Sequence, residues 1–468
     1  MTFNLISDIW IPVVMKNGEK RVIRPADIAD PEIERIEGRR PDMTAACLEF
    51  LIGLVALVAP PRDLSDWTAR RGQRPSRFTS KLNALAPAFN LIGNGPLFMQ
   101  DFENIGDMDL SPVHTLFPDG KSDAKIRREK DLGYPRAAMA LFQMQMHPGG
   151  DLRQSGRMVT IVDTGAGLWD TIWANVPYGA PMDPSRMTDL PWMHPVAAGR
   201  SPGACGMFRM SRKLQLRHVG NRATGVYDKG TYGAPLICTG PLVPTAPAGT
   251  VTTEGRPRRI ASDRFGIDHW AGTVLPEMEC DTRADCVRLQ SERRPGESSV
   301  LHVYGWHVPN VKAPTFLDAR VALHQIDAAG QALLRNIVGA TGLVGMSLRK
   351  ALFQARGSVA GLDPAGMLVE ATAQNVVRLA LDLRRGSGHR LIASAYHTVL
   401  RNEAMRIFQD LAVPRRVTLT TEDAARIDAA RQKLVTLFDT NRANARALRE
   451  ALGLLDDVQA HSGDRVVA

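Results

Sequence analysis

The sequence predicts an α+β fold, with an irregular mixed N-terminal domain over residues 1–315 followed by a C-terminal four-helix bundle over residues 316–468. Three observations carry this. Before about residue 316, Pro and Gly recur every few residues and interrupt short mixed segments. After it, apolar residues recur at spacings of three and four over long windows. Between them in kind is FLIGLVALVA, residues 50–59, an unbroken apolar run stopped by Pro60 and Pro61.

That run is shorter than the roughly 20 residues that cross a bilayer, so it reads as a buried helix and no membrane segment is expected. Residues 135–146 read as a second helix, and residues 209–219 and 299–304 as strands joined by long loops. Tyr227-Asp228-Lys229-Gly230 reads as a turn tip presenting one lysine. In the second domain the pattern predicts helices over 317–335, 344–354, 367–383, 390–411, 422–438 and 442–455. Leu391, Ala395 and Val399 mark one apolar face, and Ile427, Leu434 and Phe438 another. The breaks fall at Gly357, Gly361 and Pro364, at Gly386 and Gly388, and at Pro414, with Thr420 or Thr421 placed to cap the next helix.

The chain has 468 residues, 44% hydrophobic and 23% charged, the composition of a folded globular protein. Its opening residues contain Asp8 and lack a basic region followed by an apolar stretch, so a cytoplasmic location is expected. The five cysteines form neither a CxxC pair nor an even-numbered framework, and are expected to be reduced and buried. Fifty-eight basic and 49 acidic residues leave a charge of +9, a mild pointer to a polyanionic partner that a basic protein without one matches equally well.

Patterns that invite an enzymatic reading fail on physical grounds. Gly199-Arg200-Ser201-Pro202-Gly203 matches a nucleophile elbow, but the residue after the serine must donate a backbone N–H to an oxyanion, and Pro202 has none. Gly120-Lys121-Ser122 resembles the end of a phosphate loop, yet Thr115 stands where that loop requires glycine. His302 and His307 have no HExxH helix or carboxylate cluster beside them, and Cys280 and Cys286 have no partner at zinc spacing. No catalytic residue, metal or cofactor is expected, and a zinc site would require the fold to gather distant ligands. A stand-alone hydrolase built on Ser201 or on the cysteine and histidine set, and a subunit that binds only protein, remain the alternatives.

The basic and glycine-rich segments point elsewhere. Lys121, Lys125, Arg127, Arg128 and Lys130 lie within ten residues, a loop suited to phosphates or simply to solvent. Gly149-Gly150, followed by Arg153, Ser155, Gly156 and Arg157, allows close backbone approach to a groove or marks a turn. Arg209, Arg212, Lys213 and Arg217 form a basic strand region.

The opening Phe3-Asn4-Leu5-Ile6-Ser7-Asp8-Ile9-Trp10-Ile11-Pro12-Val13 resembles the N-terminal signature of the CasA family, the large subunit of the type I-E CRISPR Cascade surveillance complex. The helix over 45–59, Pro96-Leu97-Phe98-Met99-Gln100-Asp101, Gly149-Gly150, Tyr304-Gly305 and Asn310-Val311-Lys312-Ala313 match in order. The resemblance implies a non-catalytic subunit of an RNA-guided complex that checks a short adjacent motif, the PAM, in double-stranded target DNA and starts strand separation. It implies a glycine loop at Gly149 and Gly150, a lysine finger at Lys229, and a wedge at Asn310, Val311, Lys312 and Ala313, with Lys312 where some members carry glutamine. Lys121 to Lys130 falls where the family has a mobile loop beside the CRISPR RNA handle. Other Cascade subunits and a helicase-nuclease recruited after R-loop formation are the implied protein partners. The bundle would hold displaced DNA with Arg349, Lys350, Arg384, Arg385, Arg415 and Arg416, for which helix-dipole complementation is an equal reading.

Overall fold

The computed structural model describes residues 2–102, 110–146, 155–195, 207–232, 240–245, 257–277, 281–310, 312–413, 420–439 and 443–454. Two compact units divide the chain. One comprises residues 1–264, 272–274 and 278–323; the other comprises 265–271, 275–277 and 324–468.

The first unit is built around the helix Pro41–Val58, buried along most of its length as the apolar run demands. Its residue Phe50 sits in a cage of Trp10, Phe98, Phe142 and Phe208 at ring distances of 5.6–6.0 Å, mostly edge to face. Gly53 one turn on is required by this packing, because a Cβ there would lie 2.9 Å from the Phe208 ring. Trp67 and Trp173 exchange indole hydrogen bonds with each other's carbonyls at 3.0 and 3.1 Å, which lets two large donors be buried without loss.

Small antiparallel sheets flank this core. Ile11–Met15 pairs with Lys20–Ile23 and Ile33–Ile36. Arg222–Thr231 is the central strand of a four-stranded sheet with Arg212–Val219, Leu110–Pro112 and Leu132–Gly133. Ser299–His307 lies between Val159–Asp163 and Thr315–Leu323. This last strand corrects the helix expected over 317–335. Leu317, Ala319, Val321 and Leu323 alternate along it, and its full register runs from Ser299↔Leu323 to His307↔Thr315.

The second unit is the helical bundle: Ala328–Arg356, Pro364–Arg384, His389–Ala412 and Thr421–Thr436, with the shorter Ala443–Ala451. The first helix contacts each of the others. It merges the expected 344–354 segment with the end of 317–335, running 29 residues through Gly339, Gly342 and Gly345. Gly345 is a packing glycine, since its Cβ would come 3.0 Å from Ala365 on the next helix. Starts and stops follow the sequence signals. Asp327, Asp363 and Thr420 cap three helices, Thr420 in a reciprocal box with Asp423, and Gly357 closes the first helix at φ 72°. Of the two described cysteines, Cys47 and Cys286 are both free and buried, and burial raises both thiols, that of Cys286 to about 12.

Candidate nucleic-acid interface

The ladder of Ser299–His307 and Thr315–Leu323 ends at His307↔Thr315, and residues 308–314 form the connecting loop. Pro309 and Pro314 bracket it and have no N–H to continue a ladder. Within it Asn310, Lys312 and Ala313 are all exposed. Val311 lies outside the described residues. Beneath it, buried Trp306 packs edge-on to Phe316 at 5.3 Å, anchoring the loop's base.

Gly149 and Gly150 also lie outside the described residues, but both flanks of their segment are described, and the one that follows it is tied to this hairpin. Gly156 N donates to Trp306 O at 2.8 Å, and Val308 N donates to Ser155 Oγ at 3.0 Å. Gly305 makes the approach possible, because a Cβ there would lie 2.6 Å from Arg157 O. Arg157 joins the two flanks: its Nε donates to Met146 O at 2.9 Å, while its Nη2 pairs with Glu49 inside the core. Both side chains are buried, so this ion pair holds its geometry without competition from water. Sequence reading named Arg157 but missed Glu49; the available signal is that Glu49 is the one charged residue between Met43 and Val58.

Gln145, also unnamed by sequence reasoning, extends the same support to the lysine strand. It donates to Met99 O and Arg212 O and accepts from Ser211 N and Arg212 N, each at 2.9 Å. Lys229 does not stand on a turn tip as expected. It lies within the strand Arg222–Thr231, at a register shift between Asp228 and Thr231. There Asp228 accepts from Gly230 N at 2.9 Å and from Arg212 Nε at 3.2 Å, and Gly230 adopts φ 89°. Such a bulge re-aims the residue it contains, and Lys229 is exposed.

The segment over 121–130 contains one helical turn, Ala124–Arg127, capped by Asp123 and pinned by buried Ile126. Lys121, Lys125, Arg127, Arg128 and Lys130 are all exposed. Gly120 serves the turn before it, where a Cβ would collide with His114 O. His302 is a strand-to-strand tie: its Nδ1 is 2.5 Å from Tyr304 Oη and its Nε2 3.2 Å from Asp163. The His302 hydrogen bond draws the Asp163 carboxyl down to about 2. Arg349, Lys350, Arg384 and Arg385 are exposed on the bundle; Arg415, Arg416 and Ser201 lie outside the described residues.

The geometry thus brings the flanks of 147–154, the 308–314 loop and the base of the Lys229 bulge onto one hydrogen-bonded support. The 121–130 segment is not joined to that support by these contacts. The family model for CRISPR-associated protein Cse1 matches residues 4–407. No curated protein sequence matches the chain. In structure it is similar to Thermobifida fusca Cse1, with a TM-score of 0.68, 18% identity, and coverage of 97% of this chain and 99% of that one. CasA from Thermus thermophilus gives a TM-score of 0.68 at 18% identity, with 97% and 100% covered. Cse1 from Acidimicrobium ferrooxidans gives 0.64 at 16%, with 96% and 99% covered.

Proposed function

Because the chain belongs to the CRISPR-associated Cse1 (CasA) family, the large-subunit family of CRISPR Cascade complexes, we propose that it reads the PAM for a type I-E complex. In this reading it is a non-catalytic cytoplasmic subunit that engages double-stranded target DNA, opens it beside the PAM and then recruits a helicase-nuclease. Guide pairing reads the sequence and the protein reads only the adjacent duplex.

The observation that carries the reading is the common support beneath three elements. Small residues at Gly149-Gly150 suit the minor groove, whose degenerate pattern is read by few contacts. Lys229, exposed at a bulge, reaches as a single cation, and the 308–314 loop is a compact wedge for the first base step, where unstacking costs about a few kcal/mol. Coupling all three through Gln145, Arg157 and Gly156 favours their acting on one stretch of duplex. The exposed cations of 121–130 suit the phosphates of the CRISPR RNA handle.

The test is a gel shift of matched duplex by guide-loaded complex assembled with and without this chain, on DNA with a randomised PAM. Binding is expected to require the chain and to select several related PAMs. Gly149→Asp is expected to weaken PAM-dependent binding at least about ten-fold, the cost of one lost or repelled groove contact. Identical binding without the chain overturns the proposal.

A further inference from the structure

A cavity of about 430 Å³ opens on the first unit beside the end of the 121–130 segment and is lined by none of the residues assigned above. Its floor is apolar, with Trp10, Met43 and Met139, and its rim carries Arg39, Arg136 and Arg222. The Trp10 indole N–H is already used, donating to Leu5 O at 2.9 Å, so what Trp10 offers a ligand is carbon surface. Two methionines line the same floor, and such side chains adapt to a flat guest.

The rim is cationic and partly held in reserve. Arg136 pairs with Glu129 and Arg222 with Asp131, while Arg39 is exposed and has no ion pair among the described residues. The site therefore suits a ligand with a planar apolar body and an adjacent anion, in a cavity of ordinary ligand size. We propose that it takes one unstacked nucleotide of a single-stranded nucleic acid, its base on the Trp10–Met43–Met139 floor and its phosphates at the arginines. Base stacking and a basic rim are the two components of single-strand binding. Seating the phosphates exchanges the Asp131 and Glu129 pairs for phosphate contacts.

Gly133 offers a way to fill the cavity without disturbing the fold. It lines the space, its φ is not left-handed, and a Cβ there would meet nothing within 4 Å. The experiment titrates the full chain into short fluorescein-labelled single-stranded RNA and DNA by anisotropy, with the matching duplex as reference and thermal melts as folding control. Gly133→Leu is expected to weaken single-strand binding about five-fold or more, the worth of one stacked base, and to leave duplex binding and its salt slope unchanged. Arg39→Glu is expected to weaken it and to lower the salt slope by about one. Asp131→Asn, which frees Arg222, is expected to tighten binding about two-fold, the modest worth of an exposed ion pair.

Comparing RNA with DNA identifies the strand. Single-strand binding by Gly133→Leu at wild-type strength, or weakening by Asp131→Asn, overturns the proposal. So does loss of complex assembly with unchanged oligonucleotide binding, which would make the occupant a protein side chain. No PAM or guide enters the assay, so its outcome is independent of the PAM reading.

Discussion

A buried charge must be paired, and Glu49 and Arg157 show what such a pair does for a surface loop. Arg157→Met leaves the Glu49 carboxylate in the core with its partner gone, a change that costs about 3–5 kcal/mol. Replacing both, Glu49→Leu with Arg157→Met, removes the stranded charge and is expected to restore most of that loss in denaturant unfolding. It does not restore the Nε–H donated to Met146 O, so on the proposed function PAM-dependent binding is expected to stay weak while stability recovers. Recovery of both would mean the pair serves stability alone. At this scale the sequence was legible on one side only. Arg157 stands in a glycine-rich, charged stretch that draws notice, whereas its partner is 108 residues away in an apolar helix, a separation no local pattern spans.

Elements were legible where one period fits and misread where two do. In Thr315–Leu323 the apolar Leu317 and Val321 are four apart, as on a helix face, yet Ala319 and Leu323 complete a period of two. Pairing with Ser299–His307 decided it, because the nine-residue register gives backbone partners along one whole side of the strand. Lys229 was misplaced for a related reason, since Gly230 signals a turn locally and the strand register absorbs it as a bulge. Helix Ala328–Arg356 shows the opposite override, packing sustaining a helix through glycines that weaken it by roughly 0.5–1 kcal/mol each. Gly345 is held by its contact with Ala365, but a Cβ at Gly339 or Gly342 meets nothing within 4 Å. Gly339→Ala and Gly342→Ala are therefore expected to stabilise the chain by about 0.5–1 kcal/mol each, read as a higher melting temperature. Gly345→Ala, crowding the next helix, is expected to destabilise it; the reverse order would show that backbone freedom is not what these glycines cost.

For the whole molecule, local patterning marks the helices well but does not assign every residue to its unit. Each long helix carries its own apolar period and caps, so the bundle was legible from Pro364 onward with boundaries shifted by a few residues. Residues 265–271 and 275–277 belong to the same unit although they precede its first helix by about fifty residues in the sequence. They read as loop because no period marks them. The short turn Ile267–His269 packs against Ala328–Arg356 and Pro364–Arg384, with Ile267 and Trp270 buried, and Arg335 Nη1 donates to Pro276 O at 3.2 Å. A fragment cut at the start of the helices, residues 324–468, exposes whatever those two side chains cover. Burying each is worth about 1.5–3 kcal/mol, so this fragment is expected to be about 3 kcal/mol less stable than one in which residues 264–277 are rejoined to it through a flexible linker. Chemical unfolding followed by helical circular dichroism measures the difference. Equal midpoints would mean the bundle closes on itself and the 265–277 strip only rests on it; a lower midpoint for the bare fragment would make that strip part of the bundle's core.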